Sequence, residues 1–144
     1  MDRESNVEYW LRNINEQLTL TDRRCHLRVA DEHALLLQLS EDGQDLLFYG
    51  ELLYVSEPAE LFLLRRCMEL NARQDMMKRC WIATDQNKLI LVHDANLTDY
   101  DEIDFENTLN NFIALMNTIR SQLSSVVEPV NEPTISYSQQ LIKG

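Results

Sequence analysis

The chain has 144 residues and a mass of 16.9 kDa, with 24 acidic against 13 basic side chains and a formal net charge of −11. That length suits one domain, and 44% hydrophobic residues suffice for a real core, which excludes wholesale disorder. The negative charge repels nucleic-acid phosphates and anionic lipid, so nucleic acid and membrane surfaces are not expected partners.

The N-terminus, Met1-Asp2-Arg3-Glu4, is polar, and no apolar signal core follows it. The longest apolar runs, such as Leu61 to Leu64, fall far below the roughly 18 residues of a membrane span. The expectation is a soluble, intracellular protein without membrane insertion. Cys25, Cys67 and Cys80 are odd in number, widely spaced and form no CxxC. They read as small buried thiols in a reducing compartment.

Only three glycines and three prolines occur, and Pro129, Pro133 and Gly144 all fall late. The division predicted is a single α+β domain over 1–125 and a mobile C-terminal tail over 126–144. Ser5-Asn6-Val7-Glu8 predicts a capping box, followed by a helix with apolar residues at Val7, Trp10, Leu11, Ile14 and Leu18. Cys25, Leu27 and Val29 alternate with polar residues, as in a half-buried strand. Asp31-Glu32 reads as a turn holding His33, and Ala34 to Leu39 as a second strand. Glu41-Asp42-Gly43-Gln44 predicts a hairpin loop with Gly43 at positive φ. Leu46 to Val55 reads as a third strand, with a bulge or bend at Gly50.

A second helix starts near Ser56-Glu57-Pro58. Leu61, Leu64, Cys67 and Met68 fall on one side of it, and Phe62, Leu63 and Leu70 widen the apolar surface. A helix apolar over most of its circumference needs cover on more than one side. Asn71 to Lys78 reads as a connection. Arg79 to Thr84 and Lys88 to His93 read as a strand pair, joined by a turn with Asn87 at positive φ. The last helix, about Glu102 to Ser124, carries the stripe Phe105, Leu109, Phe112, Met116, Ile119 and Leu123. Acidic residues Asp101, Glu102 and Asp104 suit its positive dipole end. The order is helix, three strands, helix, two strands, helix, with an antiparallel sheet packed by helices.

No residue set proposes a reaction. His26, His33 and His93 have no metal-ligand spacing, and no P-loop, nucleophile elbow or EF-hand order is present. Neither a metal nor another cofactor is expected, and the chain does not read as an enzyme. The apolar runs Leu35-Leu36-Leu37 and Leu46-Leu47-Phe48-Tyr49 stand out, because they place apolar side chains on both faces of the sheet. Either both faces are buried within one molecule, or one awaits a partner.

Three stretches carry a family resemblance. They are Leu61-Phe62-Leu63-Leu64-Arg65-Arg66-Cys67-Met68-Glu69-Leu70-Asn71, the hairpin Ile82-Ala83-Thr84-Asp85 with Leu89-Ile90-Leu91, and Ile103 to Leu123. With the element order, they resemble the class I type III secretion chaperones, the group that includes the Tir and Yop chaperones. The resemblance spans about residues 5 to 125. It implies a non-enzymatic protein of the bacterial cytoplasm that binds the N-terminal region of a secreted effector in extended form, keeping it soluble and secretion-competent. It implies a homodimer joined mainly through the second helix and the later strands. On this basis Leu63, Leu64, Cys67, Met68, Leu70 and Trp81 are expected at the dimer interface. Trp10, Leu11, Ile14, Leu18, Leu35, Leu37, Leu47 and Tyr49 are expected to bind the client. The alternative for each is ordinary core. The alternative function is a regulatory, gatekeeper-binding subunit with the same fold, acting as a heterodimer partner.

Overall fold

Asp2, in extended backbone, caps helix α1 (Arg3–Ile14) by accepting the Ser5 N–H at 2.7 Å. The expected Ser5–Glu8 capping box is therefore not the one used; the cap lies three residues earlier. The Glu8 carboxylate instead accepts from the Thr19 hydroxyl and from the Leu20 N–H, and these bonds hold it below the usual carboxylate range. The helix stops at Ile14 because Asn15 turns extended and its Oδ1 accepts the Gln17 N–H at 2.9 Å. Leu18, expected on the helix, lies beyond it and is half-buried against the core.

The computed structural model describes residues 2–29 and 33–127. The expected Asp31-Glu32 turn, and all but the start of the expected tail, lie outside those residues. Five strands follow the alternating pattern: β1 (Arg24–Val29), β2 (His33–Leu39), β3 (Asp45–Tyr54), β4 (Cys80–Asp85) and β5 (Lys88–Asn96). They form one antiparallel sheet in the order β1-β2-β3-β5-β4. His33 opens β2 rather than sitting in a turn. Gly43 takes the expected positive φ of 73°, but in the β4–β5 turn Gln86 (φ 58°), not Asn87, is the positive-φ residue.

A 3₁₀ turn at Glu57–Ala59, with Pro58 inside it, leads into α2 (Glu60–Asn71). The expected connection after α2 contains a short helix, α3 (Gln74–Met77). The last helix, α4 (Glu102–Val127), runs past the expected end. Asp101 and Asp104 cap it reciprocally, each side chain accepting the other's N–H at 2.9–3.0 Å. The acidic cluster thus serves the helix end.

All the long helices pack on one face of the sheet. Phe48 of β3 meets Phe105 and Phe112 of α4 at centroid distances of 6.4 and 5.4 Å, and Trp10 of α1 stacks on Phe105 at 5.7 Å. Leu35, Leu37, Leu46, Leu52, Leu89, Leu91 and Ile82 point to the same side and are buried with them. Gly50 is regular strand, paired with Leu35 and Leu91; the register shift falls next to it, between Glu51 and Leu53. The Arg120 guanidinium of α4 donates to the Leu52 carbonyl there. Gly50 is glycine for a different reason: a Cβ would lie 2.5 Å from the Met116 sulfur.

Two outcomes follow from this packing. Gly50→Ala should cost about 1–3 kcal/mol in urea unfolding, since the fully buried Met116 side chain must shift within the core to make room. Combined with Met116→Ala, the loss should be less than the sum of the two single losses; strict additivity would show that the two residues do not oppose each other. Burial also pushes the Cys67 and Cys80 thiols up to about 11. Both should therefore resist iodoacetamide in the native protein near neutral pH and react once it is unfolded, as read by mass spectrometry. A thiol raised by folding stabilises the fold below its unfolded pKa of about 9, and that contribution is lost as pH rises toward the folded value.

Candidate functional site

The pleat sends every second strand residue to the face without helices. There the registers align His26, Leu36, Tyr49, Val92 and Trp81 in one row across all five strands. A neighbouring row runs through Ala34, Glu51, Ile90 and Ala83. Leu36, Tyr49, Ile90 and Val92 are half-buried, and Trp81 is 47% exposed. A concavity of about 570 Å³ lies over this face, lined by Ala34, Leu36, Tyr49, Ile90 and the Glu51–Lys88 ion pair (2.9 Å). Lys88 holds the Glu51 carboxyl below the usual range. Of the two arrangements the sequence allowed for the apolar strands, the described residues show the one with an open face.

The residues expected to bind a client separate accordingly. Trp10, Leu11, Leu35 and Leu37 are core. Leu47 and Tyr49 lie on the open face, whereas Ile14, 45% exposed, and half-buried Leu18 lie by α1 on the helix side. They do not form one surface. The residues expected at a dimer interface separate too. Leu63, Cys67 and Leu70 fill the core, and Leu64 packs half-buried against it. Met68 (72% exposed) and Trp81 remain outside, as do Leu61 and Phe62. An all-round apolar helix gives no sign of which stripe turns inward; Leu63-Cys67-Leu70 does, leaving Leu61 and Met68 on the outer side.

The two sheet edges are unequal. On β4 the Asn71 side chain donates to the Ile82 carbonyl (3.1 Å) and accepts its N–H (2.7 Å). Gln74 Nε2 donates to the Cys80 carbonyl at 3.1 Å. Two side chains thus stand where a neighbouring strand would. On β1, Asp22 (φ 55°) and Arg23 (φ 63°) make a tight turn in which Thr21 and Arg24 exchange both backbone hydrogen bonds. Arg24 therefore points its backbone groups away from β2. By the period-2 alternation His26 and Arg28 do so as well. The preceding chain does not stay beside them, because Glu8 holds Thr19 and Leu20 toward α1. Beyond Arg24, the described residues supply no strand partner on that edge of β1.

Sequence reasoning passed over one further surface. A groove of about 350 Å³ runs between α3, the start of β4 and α4, lined among others by Met76, Cys80, His93, Thr108, Phe112 and Leu115. The α4 stretch beside it, residues 107–126, contains a single charged residue, Arg120, in a chain that is 26% charged. Charge-poor exposed helix is a feature of interface cores, and that signal was available in the sequence. His93 places Nδ1 3.0 Å from the Arg79 carbonyl, and both it and Cys80 sit in structural contacts. Among the described residues no group of three or more His, Cys, Asp or Glu side chains is placed to hold a metal ion. No helix among them is long and apolar enough to cross a membrane.

Comparison with solved structures returns the same fold at low sequence identity. A chain of the ExsC–ExsE complex matches with a TM-score of 0.71 and 18% identity, over 85% of this chain and 97% of that one. A chain of the HopA1–SchA chaperone–effector complex matches with a TM-score of 0.63 and 14% identity, over 81% and 91%. A chain of the heterodimeric ExoU–SpcU complex from the type III secretion system of Pseudomonas aeruginosa matches with a TM-score of 0.61 and 22% identity, over 89% and 99%. Comparison with curated proteins gives no sequence match. The model of the Tir chaperone protein (CesT) family matches residues 11–120, from the second half of α1 to near the end of α4. The chain belongs to the Tir chaperone protein (CesT) family.

Proposed function

We propose that this protein is a type III secretion chaperone that holds an extended segment of a secreted effector, from the effector's N-terminal region, and keeps it soluble. The observation that carries the reading is the open sheet face: an apolar row crosses four strands, from Trp81 to Leu36, with no helix of the described residues over it, and leads through His26 to a strand edge with outward backbone groups. An extended client gains main-chain hydrogen bonds at such an edge and seats alternate side chains on the apolar face. Apolar contact offsets the entropy lost when the segment is ordered. Family membership supports the reading, as does the likeness in fold to a chain of a chaperone–effector complex. Binding of this kind needs no nucleotide and no metal, and it belongs in the bacterial cytoplasm.

The proposal includes a homodimer. Its interface is built on the exposed members of the expected set, Met68 and Trp81, together with Leu61 and Phe62. Residues 1–125 act as the chaperone domain and 126–144 as an appended tail.

Purification from the source cells followed by mass spectrometry should recover a secreted protein bound to the chain; none recovered would count against the reading. Tyr49→Ala should weaken that complex by about 1–2 kcal/mol without unfolding the chaperone, since Tyr49 lies outside the core. Met68→Glu should halve the mass measured by light scattering. An unchanged mass would place the interface elsewhere, and a mass equal to one chain plus a different protein would favour the regulatory heterodimer.

A further inference from the structure

A hairpin turn stands at the head of β1 without the hairpin that such a turn serves. Asp22 (φ 55°) and Arg23 (φ 63°) are both at positive φ, as the two central residues of a type I′ hairpin turn require. Neither is glycine, so surrounding contacts must impose this backbone. Thr21 and Arg24 close the turn: the Thr21 N–H donates to the Arg24 carbonyl at 2.8 Å, and the Arg24 N–H to the Thr21 carbonyl at 3.1 Å. Pairing stops after that single bridge. The residues before it nevertheless have a strand's pattern. Gln17, Thr19 and Thr21 alternate with Leu18 and Leu20, and the two leucines pack half-buried against the core, as Leu27 of β1 does. Continued from the Thr21–Arg24 bridge, the register sets Leu20 opposite Cys25, Thr19 opposite His26 and Leu18 opposite Leu27. The leucines then share the core side with Cys25 and Leu27, and Thr19 shares the exposed side with His26.

We infer that Leu18–Thr21 is a latent sixth strand, a strap that closes onto β1 when Glu8 releases it. The Glu8 carboxylate of α1 accepts from the Thr19 hydroxyl and, at 3.2 Å, from the Leu20 N–H. In the closed hairpin the Thr19 side chain points to the helix-free face, away from α1, so the two arrangements exclude each other. Asn15 adds a second hold: its carbonyl accepts the Leu18 N–H and its Oδ1 the Gln17 N–H, each at 2.9 Å. Closing exchanges the bonds to Glu8 for two backbone bonds between Thr19 and His26. The His26 N–H and C=O point away from β2 and bond to nothing among the described residues. The strap lies within reach, since burial pushes the Cys25 thiol up and the nearby Thr19 N–H acts on it the other way. A client strand at this edge needs the same His26 groups. Strap and client therefore compete, and Glu8 sets the fraction of chains whose edge is open, which scales the apparent affinity. That use of the strap rests on the chaperone reading above; its closure does not.

Amide hydrogen exchange of the full chain, read residue by residue by NMR, tests the closure without any client. Glu8→Ala should slow exchange at the His26 amide at least about tenfold, because the released strap pairs with it. Adding Thr19→Pro, which removes the strap's donor and its fit in a ladder, should return His26 to the exchange of the unmodified chain. Circular dichroism melting checks that both variants are folded. If Glu8 merely tethers a loop, Glu8→Ala speeds exchange at Leu20 and leaves His26 unchanged; that result would overturn the strap. Leu18→Cys with Leu27→Cys, in a chain that keeps Glu8, covers the case in which Glu8→Ala does not fold. In the closed register these two positions lie about 4.5 Å apart between Cα atoms, within disulfide reach. Mild oxidation should link them, as mapped by mass spectrometry, with the circular dichroism spectrum unchanged. Failure to link, or linkage only after unfolding, would equally sink the strap. The secreted protein recovered from the source cells, used as the probe, should bind Glu8→Ala at least about fivefold more weakly than the unmodified chain. Equal binding would overturn the competition. Recovery of no secreted protein would count against the chaperone reading, while exchange at His26 still decides the strap.

Discussion

Met116 of α4 lies on Gly50 of β3, and Phe105 and Phe112 of the same helix lie on Phe48. That contact commits one face of the central strand to helices. The pleat then leaves no choice for the residues between: Leu47, Tyr49 and Glu51 go to the other side. With α1 and α2 packed on the same side, no element among the described residues remains to cover the opposite face. The open apolar row is thus the direct counterpart of a well-filled core. Gly50 is a point of close approach, since a side chain there would meet the Met116 side chain.

The edges are handled by polar side chains rather than by further strands. Asn71 and Gln74 occupy the β4 edge with the hydrogen bonds that a neighbouring strand would make. Glu8 has the opposite effect at β1. By binding Thr19 and Leu20 it draws the preceding chain toward α1 and keeps it off the strand. One edge is closed and one left open, and in each case the agent is a side chain from a helix. Exposed strand edges invite self-association. A high net charge opposes that between copies, and the arginines of β1 repel an identical edge locally. The acidity of the chain therefore fits a protein that keeps a sticky surface soluble.

Much of this was legible in the sequence. The three-strand meander was written in the alternation of Cys25, Leu27 and Val29 and in the loop at Gly43. The α4 stripe from Phe105 to Leu123 was plain from its spacing, and all six of its residues are buried. Local signals read less well where two candidates competed. Ser5 and Asp2 can both cap a helix, and the chain uses Asp2; Gln86 and Asn87 share a two-residue turn, and the positive φ falls on Gln86.

Composition and periodicity determined by themselves that this is an acidic α+β domain with more apolar strand surface than one layer of helices covers. They offered no residue set that proposes a reaction and no metal-ligand spacing among the three histidines. Tertiary structure alone decided which apolar residues are spent inside. Leu63, Cys67 and Leu70 went to the core while Met68, one residue from Cys67, stayed outside; Leu35 and Leu37 went inward while Leu36 stayed on the open face. Periodicity records that a residue is apolar and where it lies around its own element. Which side of that element meets another depends on contacts between residues far apart in the chain, and those exist only once the helices have settled on one face of the sheet.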